Sequence, residues 1–183
     1  MKRSLSIAVI LCLVVSFFGC KMTSDYYKEL SDYEDIWYLE GMRIDYLDHS
    51  PIFPASIESL EVQDFFCRHD IMFPVGEEIQ IYLEVKYDTQ DFSKEVERIK
   101  EAGTLCSEWF DRNLNLTAYC VELGKDINID DWEADYEYAL VDESLQTVYY
   151  IYMIYLDEHE IEFPKEFLPT NFTGYSEKIM SLY

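Results

Sequence analysis

One stretch near the C-terminus restricts the possible folds of this chain more than any other part of it. Residues 147–156 (TVYYIYMIYL) are apolar at almost every position. A short apolar run without alternation is typical of a strand that is buried on both faces. Residues 136–141 and the intervening polar residues of 142–144 predict a hairpin with it. We therefore expect residues 147–156 to form a central strand of a sheet.

The remaining strands are predicted from alternation of apolar and polar residues. Residues 78–87 alternate regularly, residues 60–68 begin to alternate, and residues 114–123 are also predicted to form a strand. Two prolines in residues 48–56 indicate a loop, and the tail from residue 162 onward is predicted to be irregular.

Two helices are predicted. In residues 91–102, Phe92, Val96 and Ile99 form one apolar stripe, Asp91 is a candidate cap and Gly103 a candidate stop. A second helix is predicted from residue 25 to about residue 41, because four aromatic or aliphatic residues recur there at helical spacing: Tyr26, Leu30, Tyr33 and Trp37.

The predicted fold class follows from this order of elements. Consecutive strands joined by short turns favour an antiparallel sheet, and interspersed helices make the domain α+β. We expect about five strands with one or two helices packed on one face of the sheet.

The N-terminus has the pattern of an export signal. Two cations, Lys2 and Arg3, precede an apolar run over residues 5–18. This run matches the apolar core of a signal peptide. A permanent membrane-spanning helix needs roughly 20 apolar residues, so the run is short for that role.

The end of this signal resembles the lipobox of bacterial lipoproteins. It is Ser16-Phe17-Phe18-Gly19-Cys20, with a small residue directly before the cysteine. The whole chain also resembles small lipoproteins of Gram-positive bacteria. The resemblance implies cleavage after Gly19, a diacylglycerol on the Cys20 thiol, and a domain held at the extracytoplasmic face of the cell membrane. Phe17 and Phe18 stand where Leu and a small residue are usual, and an ordinary signal peptide or an uncleaved anchor are the alternatives.

The domain organisation follows from that boundary. We predict a signal peptide at residues 1–19, a lipidated cysteine with a short tether at residues 20–24, and one acidic α+β domain at residues 25–183. A domain of this size can bury a real core.

The charge of the chain excludes one class of partner. With Lys2 and Arg3 removed, 12 Lys and Arg face 37 Asp and Glu, a net charge of −25. Such a field repels nucleic acid. Partners are expected to be the membrane, through Cys20, and a protein or small molecule that the sequence does not identify.

The cysteines and tyrosines are expected to have structural roles more than chemical ones. Cys67, Cys106 and Cys120 remain in the mature chain, so at most one disulfide forms, between a pair that sequence does not choose. The tyrosines of the predicted hairpin could bind sugars or peptides if exposed, but we expect them to fill the core: Tyr136, Tyr138, Tyr149, Tyr150, Tyr152 and Tyr155.

One loop resembles an EF-hand calcium loop. Asp126, Asn128, Asp130 and Glu137 occupy positions 1, 3, 5 and 12 of a twelve-residue window. Position 6, which is Gly in that family, is Asp131 here. In so acidic a chain a solvated loop is the preferred interpretation. Calcium is therefore an alternative, and no other cofactor is expected.

Catalytic motifs are not found. His159-Glu160 begins a zinc-protease motif, but Phe163 stands where the second His belongs, and His69-Asp70 is an isolated pair. We therefore predict a non-catalytic binding or interaction module. A surface calcium-binding domain is the first alternative, and an extracytoplasmic hydrolase is the second.

Overall fold

A computed structural model describes residues 22–38, 50–72, 76–123, 135–154 and 156–174. They form one seven-stranded sheet in the order β1-β2-β3-β7-β6-β5-β4, and every neighbouring pair is antiparallel. The strands are Met22–Tyr27 (β1), Glu61–Met72 (β2), Gly76–Lys86 (β3), Thr104–Leu105 (β4), Thr117–Leu123 (β5), Asp135–Asp142 (β6) and Thr147–Ile154 (β7). Among these residues, one α-helix is described, Thr89–Ala102 (α1).

The predicted central strand is confirmed. β7 lies fourth of the seven strands, between β3 and β6, and seven of its eight residues are buried. Its hairpin with β6 is closed by Asp142, whose carboxylate accepts hydrogen bonds from the N–H groups of Ser144 and Leu145. Gln146 completes the turn in the left-handed region, at φ 54°.

One face of the sheet, called here the helix face, packs against α1 and against residues 30–37 and 50–60. Its core contains Tyr33, Ile36, Phe53, Phe92 and Ile99 from the covering segments. The strands contribute the side chains of one parity, which alternation predicts: Phe65, Cys67, Ile79, Ile81, Leu83, Val85, Ala139, Val141, Val148, Tyr150 and Tyr152.

The opposite face, called here the C-terminal face, is covered by irregular chain. Short 3-10 turns between residues 107 and 114 pack against it. Residues 156–174, named here the C-terminal segment, also pack against it. The strands contribute Phe66, Tyr82, Ala118, Tyr136, Tyr138, Leu140, Tyr149, Ile151 and Met153 to this second core. Because both faces are covered, the sheet is a buried middle layer.

The helix α1 begins two residues earlier than predicted. Its cap is Asp88, whose carboxylate accepts from the N–H groups of Gln90 and Asp91, so the predicted capping role of Asp91 is wrong. The apolar stripe and the end at Gly103 are confirmed. A Cβ at Gly103 would lie 3.3 Å from the carbonyl oxygen of Cys120, so the close approach of the helix end to β5 favours glycine there.

The predicted helix from residue 25 to about 41 is wrong over its described part. That part contains β1 and two 3-10 turns, Leu30–Asp32 and Asp35–Tyr38. Tyr26 and Tyr27 pair with β2, and strand pairing overrides the helical spacing. Residues 22–24 of the predicted tether also belong to β1.

The prediction of an α+β domain with an antiparallel sheet is confirmed, but the number of strands is seven, not five. The two additional strands lie at the edges. The second half of β1 falls within the segment predicted to be a helix. β4 has only two residues, too few for an alternation pattern. The irregular character of the tail is confirmed as far as residue 174.

Candidate functional site

The lipidation candidate Cys20 lies outside the described residues, but the structure describes the chain just after it. Only Lys21 separates Cys20 from β1, which begins at Met22. β1 is an edge strand of the sheet, paired on one side with β2. In the part of the chain that is described, no helix has the length and apolar character to cross a membrane.

The tyrosines of the β6–β7 hairpin fill the two cores, as predicted. Each described member is at most 9% exposed, and Tyr155 lies outside the described residues. Tyr150 points to the helix face, where its hydroxyl contacts that of Tyr87 at 2.7 Å and donates to Glu95 at 2.5 Å. Burial, with Tyr87 and Glu95 nearby, raises the pKa of Tyr150 well above its ordinary value. These hydroxyls therefore stay protonated and serve the packing of α1.

An arginine completes this network on the helix face. Arg98 of α1 pairs with Glu95 at 2.5 Å and donates to the carbonyl oxygens of Pro51 and Ile52 at 2.7 and 2.6 Å. One cation thus meets one carboxylate and fastens the 50–60 loop to the helix.

A second arginine lies on the C-terminal face, in a set of residues named here the Arg68 cluster: Arg68, Asp70, Glu78, Glu160 and Glu162. Arg68 Nε lies 2.8 Å from Asp70 Oδ2, and its Nη2 lies 3.9 Å from Glu78 Oε2. Asp70 and Glu78 stand directly opposite each other on β2 and β3, at 3% and 7% exposure. Two buried carboxylates on adjacent strands therefore share one guanidinium.

The same arginine holds the C-terminal segment on the sheet. Its Nη1 donates to the carbonyl oxygen of Glu160 at 3.1 Å and to the Glu162 carboxylate at 3.0 Å. Gln80 also donates to the Glu160 carbonyl oxygen, at 3.2 Å, and accepts from the Glu162 N–H at 2.8 Å. The Tyr26 hydroxyl donates to Glu162 at 2.6 Å, so β1 takes part as well.

The pKa values of two glutamates in the cluster, Glu78 and Glu162, are shifted in opposite directions. Burial, followed by the Glu160 carboxylate, raises the pKa of Glu78 to about 7, although Arg68 opposes the shift. Burial also acts to raise the pKa of Glu162, but the hydrogen bonds from Tyr26 and Arg68 outweigh it and hold that pKa below its ordinary value. Within the described chain, Oδ1 of Asp70 is buried and has no hydrogen-bond partner.

The calcium-loop candidates divide at the edge of the described residues. Asp126, Asn128 and Asp130 lie outside them. Glu137 lies in β6, is 6% exposed and accepts a hydrogen bond from the Ser50 hydroxyl inside the helix face. Among the residues described, no group of three or more His, Cys, Asp or Glu side chains could hold a metal ion.

The histidines do not come together as a triad in the part of the chain described. His69 is buried on the helix face, while the adjacent Asp70 points to the C-terminal face. His159 is exposed in a 3-10 turn, and Phe163 is a core residue. His49 lies outside the described residues.

The cysteines at positions 67, 106 and 120 all lie within the described residues. Cys67 and Cys106 are buried, and Cys120 is partly exposed. Burial raises the pKa of the Cys67 thiol to about 12. A thiol held so firmly protonated is a poor nucleophile, and Cys67 packs as a small residue of the helix-face core.

Sequence reasoning missed the Arg68 cluster, although part of its signal was present. Arg68 and Asp70 have the same parity in β2, as do Glu78 and Gln80 in β3, so both pairs point to one face. Polar residues at strand positions whose side chains should face the core, in two neighbouring strands, indicate a buried polar site. The contribution of Glu160 and Glu162 comes from irregular chain and has no periodic signal.

Comparison with known proteins gives no relative: no family model, curated protein or solved structure matches this chain.

Proposed function

We propose that this chain is a lipid-anchored extracytoplasmic domain that binds a partner without catalysis. The observation that carries the proposal is the position of Cys20, directly after an apolar export signal and two residues before the first strand of the domain. An anchor at that position holds a sheet edge close to the lipid, since two residues span at most about 7 Å.

The short link defines which end of the domain is free to meet a partner. Met22, the first residue of β1, pairs with Met72 of β2, which in turn pairs with Gly76 of β3. This end of the sheet is therefore next to the anchor. The twelve residues of β2 extend about 40 Å from there. The far end carries the β6–β7 hairpin and the start of α1, which are joined through Gln146.

The far end offers exposed acidic groups and one exposed apolar side chain. Asp88, Asp91 and Glu143 are exposed there, and Leu145 is 57% exposed at the hairpin tip. With a net charge of −25 on the mature chain, the complementary partner is a basic peptide or protein segment at the cell surface.

The anchor is tested by labelling. Cells expressing the full chain are given a labelled fatty acid, and the label is expected on the wild type and not on Cys20→Ala. Added protease should digest the domain on intact cells or spheroplasts. Label on Cys20→Ala, or none on the wild type, would refute the anchor.

The binding proposal is tested with basic and acidic peptides of equal length against the immobilised mature domain. Binding of basic peptides is expected to weaken steeply with salt. Glu143→Lys should weaken it several-fold, while Asp25→Lys, an exposed site in β1 next to the anchor, should not. Equal effects of the two variants would place the binding surface elsewhere.

Calcium binding is the second candidate, favoured by the oxygen ligands at Asp126, Asn128, Asp130 and Glu137. An ion that used Glu137 would have to replace its hydrogen bond from Ser50. Calorimetry with Ca²⁺ should give heat with the wild type and none with Asp126→Ala; no heat with the wild type excludes this candidate.

A further inference from the structure

The Arg68 cluster contains more carboxylate than one guanidinium can neutralise. From β2 come Arg68 and Asp70, and from β3 comes Glu78. The C-terminal segment adds Glu160 and Glu162, with Asp157 also acting on Glu78. β1 contributes the Tyr26 hydroxyl, which is committed to Glu162. Lys28, which follows β1 in the chain, also lowers the pKa of Glu162 through its charge.

Within the cluster, the strong contacts of Arg68 are already assigned. Its Nε binds Asp70, and its Nη1 binds the Glu160 carbonyl oxygen and Glu162. The remaining contact, 3.9 Å to Glu78, is longer than a hydrogen bond. An ionised Glu78 would therefore be a buried charge facing Asp70, Glu160 and Asp157 with little compensation, which is a costly state.

The opposite strand holds the acceptor that a protonated Glu78 needs. Asp70 uses Oδ2 for Arg68, while its Oδ1 is buried and, among the described residues, has no hydrogen-bond partner. Side chains directly opposite on antiparallel strands have Cβ atoms about 5 Å apart, which lets the two carboxyl groups meet. A Glu78 O–H would donate to this oxygen.

We propose that Asp70 and Glu78 form a proton-binding carboxyl pair, and that the bound proton latches the C-terminal segment onto the sheet. When the proton leaves, Glu78 gains a negative charge that repels Glu160 and Asp157 of the segment. It also attracts Arg68 away from its contacts with Glu160 and Glu162. The segment then opens more often, which uncovers the C-terminal face.

The direction of the pH effect follows from the raised pKa of Glu78. That pKa is about 7 with the segment docked, against an ordinary value of 4.5. Stabilisation of the docked segment is therefore full below pH 4.5 and is lost as the pH rises to about 7. Over this range the opening equilibrium rises by up to about tenfold per pH unit, the limit for one proton.

Hydrogen exchange tests this on the folded mature domain. The Glu162 N–H, which donates to Gln80, reports on the segment, and the Gly103 N–H at the end of α1 reports on the helix face. After correction for intrinsic exchange, protection of Glu162 should fall between pH 5 and pH 7. Protection of the Gly103 N–H, which lies at a helix end and also opens by local fraying, should fall by much less.

Two variants separate the latch from general charge effects. Glu78→Gln should abolish the pH dependence at Glu162. Glu84→Gln, which removes a charge from the same strand and the same side, should keep it. A slope that survives in Glu78→Gln, or is absent from the wild type, would overturn the proposal.

A carbon-13 titration of the wild-type carboxyl groups needs no variant and tests the proton directly. One glutamate should titrate with a midpoint near 7, and in Asp70→Asn this midpoint should fall by about one pH unit because the neighbouring charge is gone. A Glu78 midpoint in the ordinary range, or one unmoved by Asp70→Asn, would refute the shared proton. Neither outcome depends on lipidation at Cys20.

Discussion

The two faces of the sheet are each closed by irregular chain fastened through one arginine, but the two arginines work in different electrostatic settings. On the helix face, Arg98 meets a single carboxylate, Glu95, and two backbone carbonyl groups. On the C-terminal face, Arg68 is within 4 Å of three carboxylates, those of Asp70, Glu78 and Glu162. The first tie is balanced in charge, and the second is not. An ion pair that is balanced in charge contributes only to stability, whereas an unbalanced one also changes in strength with pH.

The largest expected difference between the faces comes from removing each arginine. Arg68→Ala should lower the free energy of unfolding by about 3–5 kcal/mol at pH 7, because it leaves buried carboxylates without a cation. Arg98 is 36% exposed, so Arg98→Ala should cost only about 1–2 kcal/mol. Urea unfolding measures both. Equal losses would show that the two ties are equivalent.

The next effect concerns the excess charge on the C-terminal face. Since the folded pKa of Glu78 is about 7, above its ordinary 4.5, the wild type should lose stability as the pH rises between these values. Glu78→Gln keeps the shape of the protonated side chain, so at pH 8 it should be more stable than wild type by roughly 1–3 kcal/mol. Unfolding curves at pH 5 and pH 8 measure the difference. A variant that is destabilised at pH 8 would contradict this.

A smaller effect is expected from the buried hydroxyl groups of neighbouring strands. Tyr150→Phe removes a hydroxyl that contacts Tyr87 and Glu95 on the helix face and should cost about 1–2 kcal/mol. Tyr138→Phe removes a hydroxyl that donates to the Phe167 carbonyl oxygen of the C-terminal segment, at 3.1 Å, and should cost about 1 kcal/mol. Thermal unfolding compares them. The reverse order would mean that the segment is held more firmly than the helix.

The smallest effect isolates what local structure contributes to the helix face. Asp88→Ala removes the cap of α1 and should cost about 1 kcal/mol. Asp91→Ala, three residues later, keeps the cap and loses only an exposed pair with Lys94, so a loss below about 0.5 kcal/mol is expected. Circular dichroism with urea unfolding distinguishes the two. A larger loss at Asp91 would contradict the capping geometry.

The helix face was the more predictable of the two. The stripe in α1 and the alternation in β3 are periodic, and their apolar sides are the sides that meet. The central place of β7 followed from its lack of alternation. Predictions failed where periodicity was weak or ambiguous, as in β1, where Tyr26 fitted a helical spacing with Leu30, Tyr33 and Trp37 but pairs with β2.

The C-terminal face could be predicted only in part. Sequence indicated an irregular tail but not its position, because an irregular segment has no period that assigns it to a surface. Its attachment depends on single long-range hydrogen bonds, such as those from Arg68 and Gln80 to the Glu160 carbonyl oxygen. The carboxyl pair of Asp70 and Glu78 was likewise invisible, since it requires the register of β2 against β3.

The place of β7 in the sheet has a consequence for the order of folding. β1, β2 and β3 are consecutive neighbours, and so are β4, β5 and β6, but the two groups meet only through β7, which pairs Thr147 with Lys86 on one side and with Asp142 on the other. Pairing Thr147 with Lys86 closes a long loop of chain, which costs entropy. Until residues 147–154 emerge from the ribosome, β3 and β6 each keep an open edge that can pair with another chain. The sheet is therefore completed only when a strand near the C-terminus has been synthesised. A chain truncated before β7 is expected to aggregate and not to form a smaller sheet.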